Sequence, residues 1–116
     1  MAKGYASFES LPCARSCRLI DFDLIELSTY LQRGERLLVV SGIKPWADLH
    51  VSLEPLAYSG SPDFWVIEVV GRLTASGLPG LVDFSAALRL GNICGSKGIE
   101  VVGATKTERR TLVVER

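Results

Sequence analysis

The chemistry open to this chain starts from its single histidine, three cysteines and one acidic cluster. His50 stands in Asp48-Leu49-His50-Val51-Ser52-Leu53-Glu54. An extended backbone there puts Asp48, His50, Ser52 and Glu54 on one face. A hydrolytic triad joins a hydroxyl or thiol nucleophile to an imidazole that a carboxylate orients. Same-face residues on one strand lie roughly 6.6–7 Å apart, beyond direct hydrogen-bond reach for neighbouring backbones. The Gly-x-Ser-x-Gly elbow that exposes a nucleophilic serine is absent. An enzyme would need His50 to meet Cys94, Asp48 or Glu54 in one cleft. A solvated strand face is the simpler account of the pattern.

Metal and phosphate chemistry are no better supported. Structural zinc wants four nitrogen or sulfur ligands, commonly in close pairs. Cys13-x-x-x-Cys17 is the one close pair, while Cys94 and His50 stand on separate elements. Cys13 and Cys17 could instead pair with each other under oxidation. Asp21, Asp23 and Glu26 could hold a divalent ion or work as paired carboxylates. The spacing fits equally well the acidic first turn of a helix. Gly91-Asn92-Ile93-Cys94-Gly95-Ser96-Lys97 inverts the Lys-Ser/Thr order that a phosphate-binding loop requires. It reads as a glycine-rich connection between strands. Lys106, Arg109 and Arg110 read as a solvated hairpin turn. No cofactor and no metal are expected.

The aromatics offer more. Trp46 follows Lys44-Pro45 at a turn between strands, and Tyr58 and Trp65 flank the turn Ser59-Gly60-Ser61-Pro62. Aromatic side chains near loop ends anchor interfaces and bound ligands. Trp46, Tyr58 and Trp65 are therefore the candidate binding residues. The competing account is that they cap the open end of a small core.

Composition bounds what such residues can serve. The chain has 116 residues, 13 Lys+Arg against 13 Asp+Glu, and a net charge of zero. Without a basic excess there is nothing to grip a phosphate backbone, so a nucleic-acid partner is not expected. A hydrophobic share of 47% argues against disorder. No apolar run approaches the ~20 residues of a membrane-spanning helix. The N-terminus lacks an apolar signal segment, and the cysteine count is odd. Both features point to the cytoplasm.

Residues 1–18, interrupted by Pro12, read as an irregular arm ahead of a single β-rich domain over 19–116. Residues 19–34 can be read two ways. Ile20, Leu24, Leu27 and Leu31 share a helical face, Asp23 and Glu26 resemble a capping box, and Gly34 would end the helix. Alternation in Ile20-Asp21-Phe22-Asp23-Leu24 opposes this, but a strand would need a bulge to bury Ile25 and Leu27 as well. The helix is the favoured reading. Strands are expected over 36–43, 48–58, 63–73, 81–90, 99–104 and 110–115, joined as antiparallel hairpins. Pro55 marks an edge or a bulge that would turn Leu56 and Tyr58 inward. Val82, Phe84, Ala86, Leu88 and Leu90 face inward on the strand over 81–90.

Ile67-Glu68-Val69-Val70-Gly71 recurs verbatim as Ile99-Glu100-Val101-Val102-Gly103, with a weaker echo at Leu37-Leu38-Val39-Val40-Ser41-Gly42. Duplicated hairpins packed face to face would explain it, and so would Val-rich composition. The glycines would mark bends in either case.

The expected fold is mainly β, a small antiparallel β-sandwich or partly closed barrel of about six strands with one short N-terminal helix. An all-β form without the helix is the alternative. The strands over 36–43 and 63–73 are apolar on both faces, more than a lone two-layer domain covers easily. The expected function is thus a non-catalytic, self-associating interaction module, a homo-oligomer that pairs through its C-terminal strand at Val113 and Val114. One alternative is a small apolar-ligand-binding barrel, whose cavity would be lined by Phe64, Val66, Phe84 and Leu88. A small enzyme using His50 ranks last.

Overall fold

Short β-branched runs broken by Gly, Pro and Ser favour strands, because a helix needs a longer uninterrupted periodic segment. The structure is a computed structural model that describes residues 17–29, 36–73 and 79–112. The described chain forms eight strands: β1 (Cys17–Leu19), β2 (Leu24–Thr29), β3 (Arg36–Trp46), β4 (Leu49–Pro55), β5 (Phe64–Leu73), β6 (Pro79–Arg89), β7 (Gly98–Val102) and β8 (Thr107–Thr111). They make two sheets, without barrel closure. The sequence expectation Cys13 lies outside the described residues, as do Leu31, Gly34, Val113 and Val114.

In the five-stranded sheet, β5 is the hub. β4 pairs along Ile67 to Leu73 on one edge. β7 pairs with Phe64 to Glu68 and β1 with Val70 to Arg72. Both overlap β4 in register, so they share the opposite edge of β5, with β8 beyond β7. The second sheet has three strands in the order β2-β3-β6, all antiparallel. β3 is central, as its two-faced apolarity required.

The core lies between the sheets. Leu38 and Val40 face Ile67, Val69, Ile99 and Val101, and all six are fully buried. Phe84 and Ala86 of β6 close one side, with Leu49 and Leu53 of β4. The smallest dimension of the molecule, 22 Å, fits two sheets about 10 Å apart with side chains on both outer faces.

Four expectations are corrected. The helix over 19–34 is not formed where the chain is described. Instead the chain crosses from one sheet to the other. Ile20 N–H donates to Val69 O at 2.9 Å on the five-stranded side, and Asp23 N–H donates to Ser41 O at 2.8 Å on the three-stranded side. Ile20 and Phe22 drop into the core on the way. The bend at Asp23 resets the alternation, so Ile25 is buried while Leu24 is 51% exposed. The spacing that resembled a helical face is two strand phases joined at a crossing.

The second correction concerns topology. β5 and β7 are parallel. After β5 the chain leaves for the other sheet, lays β6 beside β3, and returns. Short connections suggested hairpins, but a strand that changes sheets needs no long connection either. The third concerns the repeat. Its two copies lie side by side in one sheet, staggered so that Ile67 opposes Val101 and Trp65 opposes Ile99. They are not face-to-face hairpins. The fourth concerns individual side chains: Leu56 and Val82 are exposed rather than inward, and Arg109 and Arg110 lie in β8 rather than in a turn.

The repeated glycines do share a physical role. A Cβ on Gly71 would stand 2.5 Å from Ile20 Cδ1, and one on Gly103 would stand 2.9 Å from Ile20 O and 2.8 Å from Asp21 Oδ1. A Cβ on Gly42, at the end of the third echo, would stand 3.1 Å from Phe22 Cα and 3.2 Å from Asp23 N. All three glycines open space for the crossing segment, residues 20–23.

Candidate interaction surface

The catalytic expectation separates in space. His50 is exposed and pairs across strands with Arg72, near the C-terminal end of β5. The loop that carries Cys94 packs at the other end, where Ser96 N–H donates to Pro62 O at 2.8 Å and Lys97 N–H to Asp63 O at 2.7 Å. That is roughly nine residues and 30 Å of strand away. Cys94 Sγ donates to Gly95 O at 3.3 Å. On the His50 face, Ser52 Oγ donates to Glu54 Oε2 at 2.9 Å, and Arg72 bridges the same carboxylate at 3.4 Å. Glu68 lies directly opposite Glu54. Partial burial, reinforced by the Glu54 charge, pushes the Glu68 carboxyl above its ordinary range. Ser52 and Arg72 thus share the Glu54 carboxylate. Among the described residues, no three His, Cys, Asp or Glu side chains converge to hold a metal.

The acidic cluster also has a structural use. Asp21 accepts hydrogen bonds from the Thr105 hydroxyl and from Thr105 N–H, the latter at 2.7 Å. Lys106 reaches back to Phe22 O at 2.8 Å, with its ammonium 4.8 Å from the Phe22 ring centroid. Together these contacts fasten the β7–β8 turn to the crossing segment. Glu26 points to solvent on β2.

The three aromatic candidates divide. Tyr58 and Trp65 meet edge to face, with ring centroids 5.2 Å apart. Trp65 Nε1–H donates to Leu56 O at 2.8 Å, and Tyr58 Oη accepts from Val66 N–H at 3.3 Å. Their polar tips are thus used within the chain, holding the β4–β5 connection against β5. Trp46 ends β3 near the other end of the sandwich, where the Arg18 guanidinium lies 5.2 Å from its ring centroid. Arg18 in turn sits opposite Gly71.

The residues expected to line a ligand cavity divide as well. Phe84 and Leu88 face between the sheets. Phe64 and Val66 face outward, where Arg109 covers the Phe64 ring at 4.5 Å and bonds Glu100 at 3.1 Å.

What remains open is the three-stranded sheet. Among the described residues β6 hydrogen-bonds only to β3, although it runs for 11 residues. Leu81, Asp83, Ser85, Ala87 and Arg89, on its outward face, are all exposed. The same outward face carries Ile43 at 52% exposure and Leu81 at 82%, beside Leu24. An unpaired edge of this length presents a row of main-chain donors and acceptors to solvent. Such an edge recruits another strand by main-chain hydrogen bonding. The alternation that buries Phe84 and Ala86 was legible in the sequence. That β6 ends a sheet was not, because nothing local in the sequence names a strand's neighbours.

Among the described residues no helix is long and apolar enough to cross a membrane. No family model matches the chain, no curated protein matches it, and no solved structure matches it.

Proposed function

We propose that this protein is a non-catalytic, self-associating β-rich interaction module that joins a second copy of itself through the three-stranded sheet. The observation that carries this reading is β6, a long edge strand with exposed outward side chains and no described partner beyond β3. Exposed Leu24, Ile43 and Leu81 on the adjoining face support it, because burying them gains hydrophobic free energy that a lone copy forgoes. The C-terminal strand is the weaker route. β8 spans only five residues, and Val113 and Val114 lie outside the described chain.

Residence in the cytoplasm belongs to the same proposal, on the odd cysteine count. The disulfide formed by Cys17 weighs against it, since reducing compartments keep such bonds open. Cys94 is a free thiol.

The test is solution mass by light scattering at micromolar concentration. The reading expects twice the 12.6 kDa of the chain, falling towards that value on dilution. A mass of one chain at every concentration would remove it.

A further inference from the structure

We infer that the β4–β5 seam is a proton-sensitive joint: Glu54 and Glu68, directly opposed across it, take up one proton between them as pH falls below neutral, and the seam tightens when they do.

The ladder brings the two carboxyls together. Glu54 and Glu68 are partners in the β4–β5 register. Leu56 N–H donates to Val66 O at 3.0 Å, two residues further along. Hydrogen-bonded pairs alternate along an antiparallel ladder, so Glu54 and Glu68 form such a pair, with Cα atoms about 5.5 Å apart. Opposed residues leave a sheet on the same face. Both carboxyls therefore stand on the outward face of the five-stranded sheet. Like charges directly opposite each other weaken a strand pair.

The polar partners on this face are unevenly shared. Ser52 Oγ donates to Glu54 at 2.9 Å, and Arg72 bridges to the same carboxylate at 3.4 Å. Among the described residues the Glu68 side chain has no hydrogen bond or ion pair. Its neighbours along β5 are Val66 and Val70, and Val102 lies opposite it on β7. The remaining charges on the face are engaged elsewhere. Glu100 of β7 and Arg109 of β8 bond each other at 3.1 Å. His50 of β4 stands opposite Arg72, not Glu68. From β1 the face receives Leu19, opposite Val70, and Cys17, which is in a disulfide and does not titrate. A half-buried carboxyl thus meets a second carboxyl and, among the described residues, no cation.

The sign follows from the two forms of the acid. Ionised, Glu68 is poorly solvated among valines and repels Glu54. Protonated, it gains an O–H to donate, and a carboxylate such as Glu54 has acceptor sites beyond those Ser52 and Arg72 use. The fold favours the protonated form, through partial burial first and the Glu54 charge second. The stability that this pair contributes is therefore full below the ordinary 4.5 of the carboxyl and is lost as pH rises through the higher folded value.

The experiment compares the native chain with Glu68→Gln by urea unfolding from pH 7 down to 4.5, the ordinary value of the carboxyl. Glutamine keeps the shape without the charge, and every other titrating group is common to both chains. The folding equilibrium constant of Glu68→Gln should exceed the native one by about threefold at pH 7. That ratio should shrink towards one as pH falls. A ratio that is constant with pH, or below one at pH 7, overturns the inference. Glu100→Gln removes a carboxylate from the same face that is bonded to Arg109, and should give no gain at pH 7. An equal gain there would mean that the opposed pair is not the cause. The native chain supplies a readout that needs no variant. The Ser52 and Glu54 amides, both bonded across to β5 by the same alternation, should become more protected from hydrogen exchange between pH 7 and 4.5, after correction for the intrinsic rate. Protection that is unchanged or falls over that range would also overturn it.

Discussion

Asp21 is where a single side chain holds two distant parts of the chain together. Its carboxylate accepts from Thr105, on the turn between β7 and β8, while its own backbone lies on the crossing segment. Burial alone would raise its carboxyl, but the Thr105 hydroxyl and the backbone N–H groups of Thr105, Lys106 and Ala104 outweigh it and hold the group below the ordinary 3.8. A depressed folded value stabilises the native state above the unfolded value. That stability is lost as pH falls from about 3.8 through the folded value. Asp21→Asn should therefore lower stability by about 1 kcal/mol at pH 7, the scale of a charge-assisted bond at a partly solvated site. The deficit should vanish in acid, where the native carboxyl is protonated too. Urea titrations of both chains at pH 7 and in acid well below 3.8, under the lowered folded value, check this. A deficit that is constant with pH would mean the carboxylate charge is not what holds the turn. The sequence marked Asp21, Asp23 and Glu26 as an acidic cluster. It could not show that Asp21 serves a turn 84 residues away, because that contact exists only once two sheets are assembled.

At the scale of elements, the crossing segment explains both what was legible and what was not. The central place of β3 and β5, the burial of Phe84 and Ala86 on β6 and the edge role of β4 at Pro55 all followed from alternation and from a proline without an N–H. Ile20, Leu24 and Leu27 misled because a phase change between two strands imitates a 3.6-residue period. The two descriptions differ sharply at one pair of neighbours. A helix over 19–34 would bury Leu24 with Leu27, whereas the strand buries Ile25 and leaves Leu24 half in solvent. Ile25→Ala should cost about 2–5 kcal/mol, as a core truncation does. Leu24→Ala should stay within about 0.5 kcal/mol, as an exposed change does. Thermal or urea midpoints decide it, and the reverse order would restore the helix. The repeat belongs to this scale too. Its glycines were read as bends, and they prove to be clearances for residues 20–23. Sequence shows where a side chain is missing but not what passes through the space.

For the whole molecule, the question is how a two-layer sandwich manages its edges. β4 carries Pro55 at its end and β8 is short, both common means of blocking further strand addition. β6 has proline only at its first residue and charge only at Asp83 and Arg89. Among the described residues it is, with β2, an edge of the three-stranded sheet, and at 11 residues the longer of the two. The apolar excess in the composition is consistent with this, since part of it lies on the outward face of the three-stranded sheet rather than in the core. The sequence indicated the surplus, but which sheet face carries it emerged only from the strand order. Hydrogen exchange at β6, measured residue by residue over a range of protein concentrations, tests this account most directly. Amides of Asp83, Ser85, Ala87 and Arg89 should exchange quickly in dilute protein and slow as concentration rises, while those of Phe84, Ala86 and Leu88, already bonded to β3, change little. Exchange at the first set that is fast at every concentration would contradict it.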